Sequence, residues 1–314
     1  MRIVLPQGDF DRYCLDKTLS RRVNETEIIT IWPTGEAPGA RDSQVHPQII
    51  DLAGQFQPHD RTACGVRCPE IAFWHPETPN GITLLVAPGG AFERIMIDRE
   101  GGALAMFFTN MGYTLAVMTY RFPQDGHHEG ADAPLADAQR AVRVLRQRAA
   151  QCLNGKHIVM MGFSAGGYVA GSVATRFAEK HYPVQDSADS LSARPDALVL
   201  LYPVISMRDG LAHRDSRLRL LGEHPTQQEI DNASLETRVT QDTPQTLLIH
   251  AVNDSSVPIN NSMVMFSALR EKNVASELHF YEEGGHGFGI RNVADLPLAS
   301  WPMLVNEWLR ARKW

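Results

Sequence analysis

Cysteine is scarce in this chain and long apolar runs are missing, and each shortage excludes a class of protein. The four cysteines, Cys14, Cys64, Cys68 and Cys152, are too few for a disulfide scaffold. Cys64 and Cys68 have no matching second pair, so a zinc site is not expected and plain thiols are the reading. No apolar stretch approaches the ~18 residues needed to span a bilayer, so no membrane partner is expected. Residues 1–20 carry charges throughout and lack the apolar core of a signal peptide. The expected location is therefore the cytoplasm, or the periplasm or exterior if the chain is a processed form. An excess of positive charge is also absent. The net charge of −6 argues against a nucleic-acid partner. There is no repeat and no low-complexity linker.

What is present fits a large α/β protein. Of the 314 residues, 43% are apolar and 21% charged, enough for a sizeable core. The first eighty residues are punctuated by proline and glycine, with an edge strand expected over 27–32 and a second strand over 67–74. From residue 82 strand and helix alternate. Strands are predicted over 82–87, 113–120, 157–161, 197–201, 246–251 and 277–281, and helices over 135–150, 260–272 and 299–312. That alternation implies a mostly parallel sheet covered on both faces. The helix over 135–150 places Ala138, Ala141, Val142, Leu145 and Ala149 at helical spacing. Its Arg140, Arg143, Arg146 and Arg148 read as a solvated face. Residues 205–244 hold no strong strand and are expected to cap the sheet. The domain reading is an extension over 1–26 and one α/β domain over 27–314.

The chemistry is written at Gly162-Phe163-Ser164-Ala165-Gly166, a G-x-S-x-G pattern between an apolar strand and a small-residue helix. That context makes it a nucleophile elbow. Serine on so sharp a turn sits at strained dihedrals, and small neighbours let the helix pass close to the strand. In such sites an acid and a histidine follow the serine in that order. Asp254 lies just beyond the strand ending near Ala251, on the catalytic rim of a parallel sheet. His286 lies in a glycine-rich loop after the next strand. His250 points along a core strand and reads as a packed residue. Asp242 precedes the strand, at the wrong end. Upstream, Pro88-Gly89-Gly90-Ala91-Phe92 follows an apolar strand where esterases of this architecture carry an HGGG-type loop. The amides of Gly90 and Ala91, with that of Ala165, are the expected oxyanion donors.

Several of these segments also carry a resemblance. The chain resembles the α/β-hydrolase branch that contains acetylxylan esterases and related short-chain carbohydrate-ester hydrolases. The matching pieces include Ile31-Trp32-Pro33, Pro88-Gly89-Gly90-Ala91-Phe92, Asp98-Arg99-Glu100-Gly101, Tyr120-Arg121-Phe122-Pro123, the elbow, Tyr202-Pro203 and Gly284-Gly285-His286-Gly287. The resemblance runs from about residue 27 to the last residue. The chain departs from the usual pattern in having Ala91 for the third glycine and Phe92 where tyrosine is commoner. The resemblance implies the α/β-hydrolase fold and a serine esterase acting on acetyl or other short acyl esters of sugars or oligosaccharides. No metal or organic cofactor is implied.

Four side chains are candidate substrate contacts: Trp32, Phe92, His127 and His128. Trp301 is expected to pack inward. Glu100 and Arg121 are expected to form an ion pair bracing the 88–92 loop. A carboxylesterase acting on non-sugar esters shares every catalytic residue named above. A peptidase of the same fold would need a large extra N-terminal domain, for which the first eighty residues leave no room. A non-catalytic binding protein would be expected to have lost one of the three catalytic residues.

Overall fold

The computed structural model describes residues 3–4, 27–40, 46–53, 59–151, 156–291, 293–312 and 314. Its strands are β1 (Ile3–Val4), β2 (Glu27–Thr30), β3 (Gln48–Asp51), β4 (Arg61–Cys64), β5 (Glu70–Trp74), β6 (Ile82–Ala87), β7 (Thr114–Met118), β8 (His157–Phe163), β9 (Ala197–Leu201), β10 (Gln245–Ala251) and β11 (Ser276–Tyr281). The α-helices are α1 (Ala105–Asn110), α2 (Ala133–Gln151), α3 (Ala165–Arg176), α4 (Arg214–Leu221), α5 (Gln227–Ala233), α6 (Asn260–Glu271) and α7 (Trp301–Arg310). Cys14, Cys152 and all of the 1–26 segment except β1 lie outside the described residues.

Eight strands form one sheet in the order β11-β10-β9-β8-β6-β7-β5-β2. Neighbours from β11 to β7 are parallel, while β5 joins β7, and β2 joins β5, antiparallel. The sequence explains the layering. β6 and β9 are buried at every position, and β7, β8 and β10 at all but the first. Strands this apolar must be covered on both faces. β11 alternates in polarity and is half-buried, and it takes one edge. β2 takes the other, as the sequence predicts. A second, antiparallel sheet of order β1-β3-β4 was not legible in the sequence, because its strands are only two to four residues long. It is clamped to the main body. Arg61 donates to Asp98 from its backbone amide, Nε and Nη2 at 2.7–2.8 Å, and Ala63 bridges to Ile95.

The arginines of α2 do not form a solvated face. Arg140 is buried, donating to Asp186, Asp189 and the Ile31 carbonyl. Arg143 reaches the Tyr182 hydroxyl and the Leu191 carbonyl, Arg146 reaches Asp196, and Arg148 reaches Glu27 on β2. The helical spacing located the polar face correctly, but neighbouring loops cover it.

A second buried cluster holds the end of β7 to the start of α2. Asp137 accepts from the Arg121 backbone amide at 2.8 Å, from Arg121 Nε at 3.1 Å and from Trp32 Nε1 at 3.0 Å. Arg121 also pairs with Glu129 at 3.0 Å. Removing one member of such a cluster leaves the others buried and unpaired. Asp137→Ala should therefore lower the free energy of unfolding by about 3–5 kcal/mol. Urea titration checks this; a loss below about 1 kcal/mol would show that the cluster adds little to stability.

Candidate active site

The loops that follow β6, β8, β10 and β11 leave the sheet at the same edge, because these strands are parallel. This is where ligands sit in open α/β sheets. Ser164 follows β8 directly and has φ 52° and ψ −121°. That backbone is unfavourable for a residue with a Cβ. It is held by the Ser164 amide donating to the Leu201 carbonyl at 3.1 Å and by the Ser164 carbonyl accepting from Gly167 and Val204 at 2.9 and 3.0 Å. The turn is possible only because Gly166 has no side chain. A Cβ there would stand 2.0 Å from the Ala87 carbonyl oxygen.

Three side chains meet in a relay. Ser164 Oγ lies 2.9 Å from His286 Nε2, and His286 Nδ1 lies 2.7 Å from Asp254 Oδ2. An ionised carboxylate only accepts, so Nδ1 carries the ring proton and Nε2 is free to accept from the serine. Asp254 is saturated with donors. Its Oδ1 accepts from the amides of Ser256 and Val257 at 2.8 and 2.9 Å, and its Oδ2 also faces His250 Nε2 at 3.1 Å. Burial pushes the Asp254 pKa up, but the hydrogen bonds from His250 and His286 and the charge on His286 outweigh it, leaving the carboxyl well below its ordinary range. The stability this lends is fully present above the ordinary carboxylate pKa and is lost only as pH falls through the depressed value. The His286 loop is tied down by Gly285 donating to Asn253 Oδ1 at 2.8 Å.

The loop after β6 comes against the elbow at Gly89, where a Cβ would stand 2.8 Å from Ser164 Cβ. Gly90, Ala91 and Phe92 follow with φ of 131°, 57° and 59°. Among the described residues no protein acceptor takes the Gly90 or Ala91 amide. The Gly89 amide, by contrast, donates to Glu100 Oε2 at 2.6 Å. Glu100 is buried, and its other oxygen accepts from the Tyr202 hydroxyl at 2.8 Å. Tyr202 in turn accepts from the Gly289 amide at 3.2 Å and packs edge-on to the His286 ring at 5.1 Å. One carboxylate thus joins the 88–92 loop to the loop that carries His286. Burial raises the Glu100 pKa against the opposing hydrogen bonds from Tyr202 and Gly89, and it holds the Tyr202 phenol well above its ordinary value, so Tyr202 stays a donor.

The family described as BD-FAE matches residues 80–269, more than half of the chain. The chain belongs to the BD-FAE family. Two curated relatives share local identity with this BD-FAE chain. Endo-1,4-beta-xylanase B of Butyrivibrio fibrisolvens is 36% identical over 71% of this chain and 35% of its own length. The acetylxylan esterase of Xylanibacter ruminicola is 29% identical over 68% of this chain and 42% of its own length. The chain therefore spans less than half the length of either. Among solved structures, an acetyl ester-xyloside bifunctional hydrolase from Caldicellulosiruptor lactoaceticus superposes with TM-score 0.74 at 30% identity, covering 92% of this chain and 97% of that one. The fold is that of the α/β-hydrolase esterases.

Within this BD-FAE fold Ser164, His286 and Asp254 come together, and Ala165 opens α3 beside them. Two of the other expected contacts are covered by the fold. Trp32 is fully buried, bonded to Asp137 and packed edge-on to Tyr182 at 4.8 Å, so it offers no face to a ligand. Phe92 is also fully buried, against Tyr168 at 5.9 Å. His127 is buried with neither ring nitrogen bonded, and burial together with the Arg121 charge pushes its pKa down to about 4. His128 is exposed, and its backbone amide donates to the Gly39 carbonyl. Glu100 and Arg121 do not pair. Glu100 braces the loop through Gly89 and Tyr202, and Arg121 belongs to the Asp137 cluster. Trp301 packs inward as expected, donating to the Gly289 carbonyl at 2.7 Å.

Two histidines at the site escaped the sequence reading. His250 is core-packed as expected, yet it also donates to Asp254, and a polar residue in an otherwise apolar buried strand was the available signal. His213, in the 205–244 segment, stands parallel to His286, with ring centroids 6.3 Å apart and 13° between planes. No sequence pattern marked it.

Glu100→Ala should leave the Gly89 amide and the Tyr202 hydroxyl buried without an acceptor. Each orphaned group costs about 1–3 kcal/mol. Unfolding titrations should register that loss, and hydrogen exchange at the Gly89 amide should accelerate; unchanged exchange would mean Glu100 does not hold the loop. Asp125, on the segment that packs against α4, gives a pH-dependent test. Its Oδ2 has no partner, and burial pushes its pKa up to about 6. A raised carboxyl pKa means ionisation opposes folding, a penalty complete above about pH 6 and gone below the ordinary carboxylate value. Asp125→Asn should thus raise the urea midpoint at pH 8 and leave it unchanged near pH 4. A gain of equal size at both pH values would contradict this account.

Proposed function

We propose that this chain is a serine esterase that removes short acyl groups, acetyl foremost, from a sugar or oligosaccharide. The observation that carries the reading is the unbroken relay from Ser164 Oγ through His286 to Asp254, at 2.9 and 2.7 Å. In this reading residues 27–314 act as one hydrolase domain, with 205–244 as a cap and 1–26 as an extension.

The chemistry runs as acyl transfer. Ser164 Oγ attacks the ester carbonyl while His286 Nε2 takes its proton, and Asp254 holds the imidazolium that forms. The carbonyl oxygen becomes an oxyanion beside the amides of Gly90 and Ala91, which have no competing protein acceptor among the described residues, and of Ala165, at the N-terminus of α3. His286 then gives its proton to the departing alcohol. Water enters, loses a proton to His286, and attacks the acyl-enzyme, releasing the acid and restoring Ser164. No step calls for a metal or an organic cofactor. The acetyl preference is supported by likeness to relatives whose names specify acetyl esters. The burial of Trp32 and Phe92 removes two sugar platforms and favours a second reading, a short-chain carboxylesterase on non-sugar esters.

Ser164→Ala should fold normally and lose ester hydrolysis by several powers of ten, with residual turnover from the oxyanion donors. A fluorophosphonate probe should label Ser164 alone, as read by mass spectrometry. Label on another serine, or more than about a tenth of the activity left in the alanine variant, would falsify the assignment. A panel of acetylated xylo-oligosaccharides against simple esters of rising acyl length separates the two substrate readings, and best turnover on octanoyl esters would defeat both.

A further inference from the structure

We propose that His213 recognises the alcohol half of the ester, donating a hydrogen bond from Nε2 to an oxygen of the leaving group and so favouring hydroxyl-rich alcohols. This rests on the esterase reading of the Ser164 site.

The position follows from the order of events in acyl transfer. The histidine that activates the serine also protonates the departing oxygen, so the leaving group adjoins that histidine and the acyl oxygen faces the oxyanion loop. His286 has Tyr202 on one flank, and the other ring beside it is His213, near-parallel at 6.3 Å between centroids. A group on His213 therefore borders the leaving alcohol.

Its tautomer is set by its own helix. The side chain of His213 caps α4, with Nδ1 accepting from the Ser216 amide at 3.3 Å and lying 2.8 Å from Ser216 Oγ. A nitrogen that accepts cannot hold the proton, so Nε2 carries it. Among the described residues nothing accepts from Nε2, and the ring is only half-buried. Burial and then the charge on His286 lower the His213 pKa, so the ring stays neutral and does not oppose the imidazolium that forms beside it. The donor is also held in place. Ser216 is buried, and Arg219, at the far end of α4, pairs at 2.5 Å with Glu93, which directly follows the 88–92 loop. A neutral, oriented and unclaimed donor beside the proton-transferring ring is suited to an ether or hydroxyl oxygen of a polyol. An alkyl alcohol offers it nothing.

His213→Asn separates recognition from capping, because asparagine caps helices well but is too short to reach the site. The ratio of kcat/KM for acetylated xylobiose to that for ethyl acetate should fall about tenfold, the size of one lost hydrogen bond, mainly through KM. Equal losses on both esters would assign His213 a merely structural role and overturn the proposal. Xylobiose binding is measured by calorimetry in the Ser164→Ala background, with and without His213→Asn. A roughly tenfold weaker Kd supports the proposal, and an unchanged Kd, or no binding in either protein, overturns it. Should the unmodified enzyme cleave neither acetate while xylobiose binding still depends on His213, the esterase reading fails and the recognition role stands. Thermal midpoints serve as the folding control, with His213→Ala as the variant that loses the cap as well.

Discussion

The strained backbone of Ser164 is the constraint around which the neighbouring elements are arranged. Its φ of 52° with a Cβ present costs on the order of 1–3 kcal/mol. That cost persists only because adjacent parts over-determine the turn. β9 supplies the Leu201 carbonyl, α3 and the 203–204 segment supply donors to the Ser164 carbonyl, and the end of β6 presses against Gly166. Relaxing the turn would break bonds to three separate elements. The strain also has a consequence for the neighbouring loop. Because α3 passes so close to β6, the chain leaving β6 has little room, and it escapes through Gly90, Ala91 and Phe92 at positive φ. The strained serine and the strained loop share one cause, the close approach of helix and strand.

Buried charge holds this arrangement together where apolar packing cannot. Loops at the end of a sheet carry polar backbone groups, and covering them requires acceptors. Glu100 serves the Gly89 amide, Asp98 serves the Arg61 amide, Asp137 serves the Arg121 amide and Asp254 serves those of Ser256 and Val257. At Arg61 and Arg121 the carboxylate also takes the guanidinium, whereas at Gly89, Ser256 and Val257 it fixes the chain by its backbone alone. This tolerates variation in the loop, since the amide is the same for any residue except proline.

The parts legible in the sequence were those written in local pattern. Buried strands announce themselves as apolar runs, and the elbow as glycines around a serine, so β6 to β11 and the order Ser164, Asp254, His286 could be placed from residues alone. The antiparallel β1-β3-β4 sheet was illegible because two- to four-residue strands carry no periodicity. Partnership was the harder matter. Charge at residues 100 and 121 suggested a pair, but each charge found a different partner across the fold: Glu100 reaches Tyr202, and Arg121 reaches Asp137. The α2 arginines failed similarly, since helical spacing tells which face is polar but not whether loops over 182–196 will cover it. Aromatic residues near motifs were equally ambiguous. Trp32 and Phe92 lie in or near the motif segments and are fully buried.

The two histidines on Asp254 impose a further condition on the proposed cycle. One carboxylate oxygen faces both His286 Nδ1 and His250 Nε2. If both rings became cationic, two like charges would crowd a buried carboxylate at high cost. The two rings differ in what their second nitrogens face. His250 Nε2 faces two oxygens, Asp254 Oδ2 and the Val257 carbonyl at 3.2 Å, so it holds the proton. His250 Nδ1 then accepts from Ser262 Oγ at 2.8 Å. The Ser262 hydroxyl can donate or accept, so this bond fixes the orientation of the buried ring. His286 Nε2 faces Ser164, the group whose proton it is placed to take. His250 therefore acts as a buried, oriented donor that helps keep Asp254 ionised, while the histidine that adjoins the serine is the one placed to exchange a proton with it.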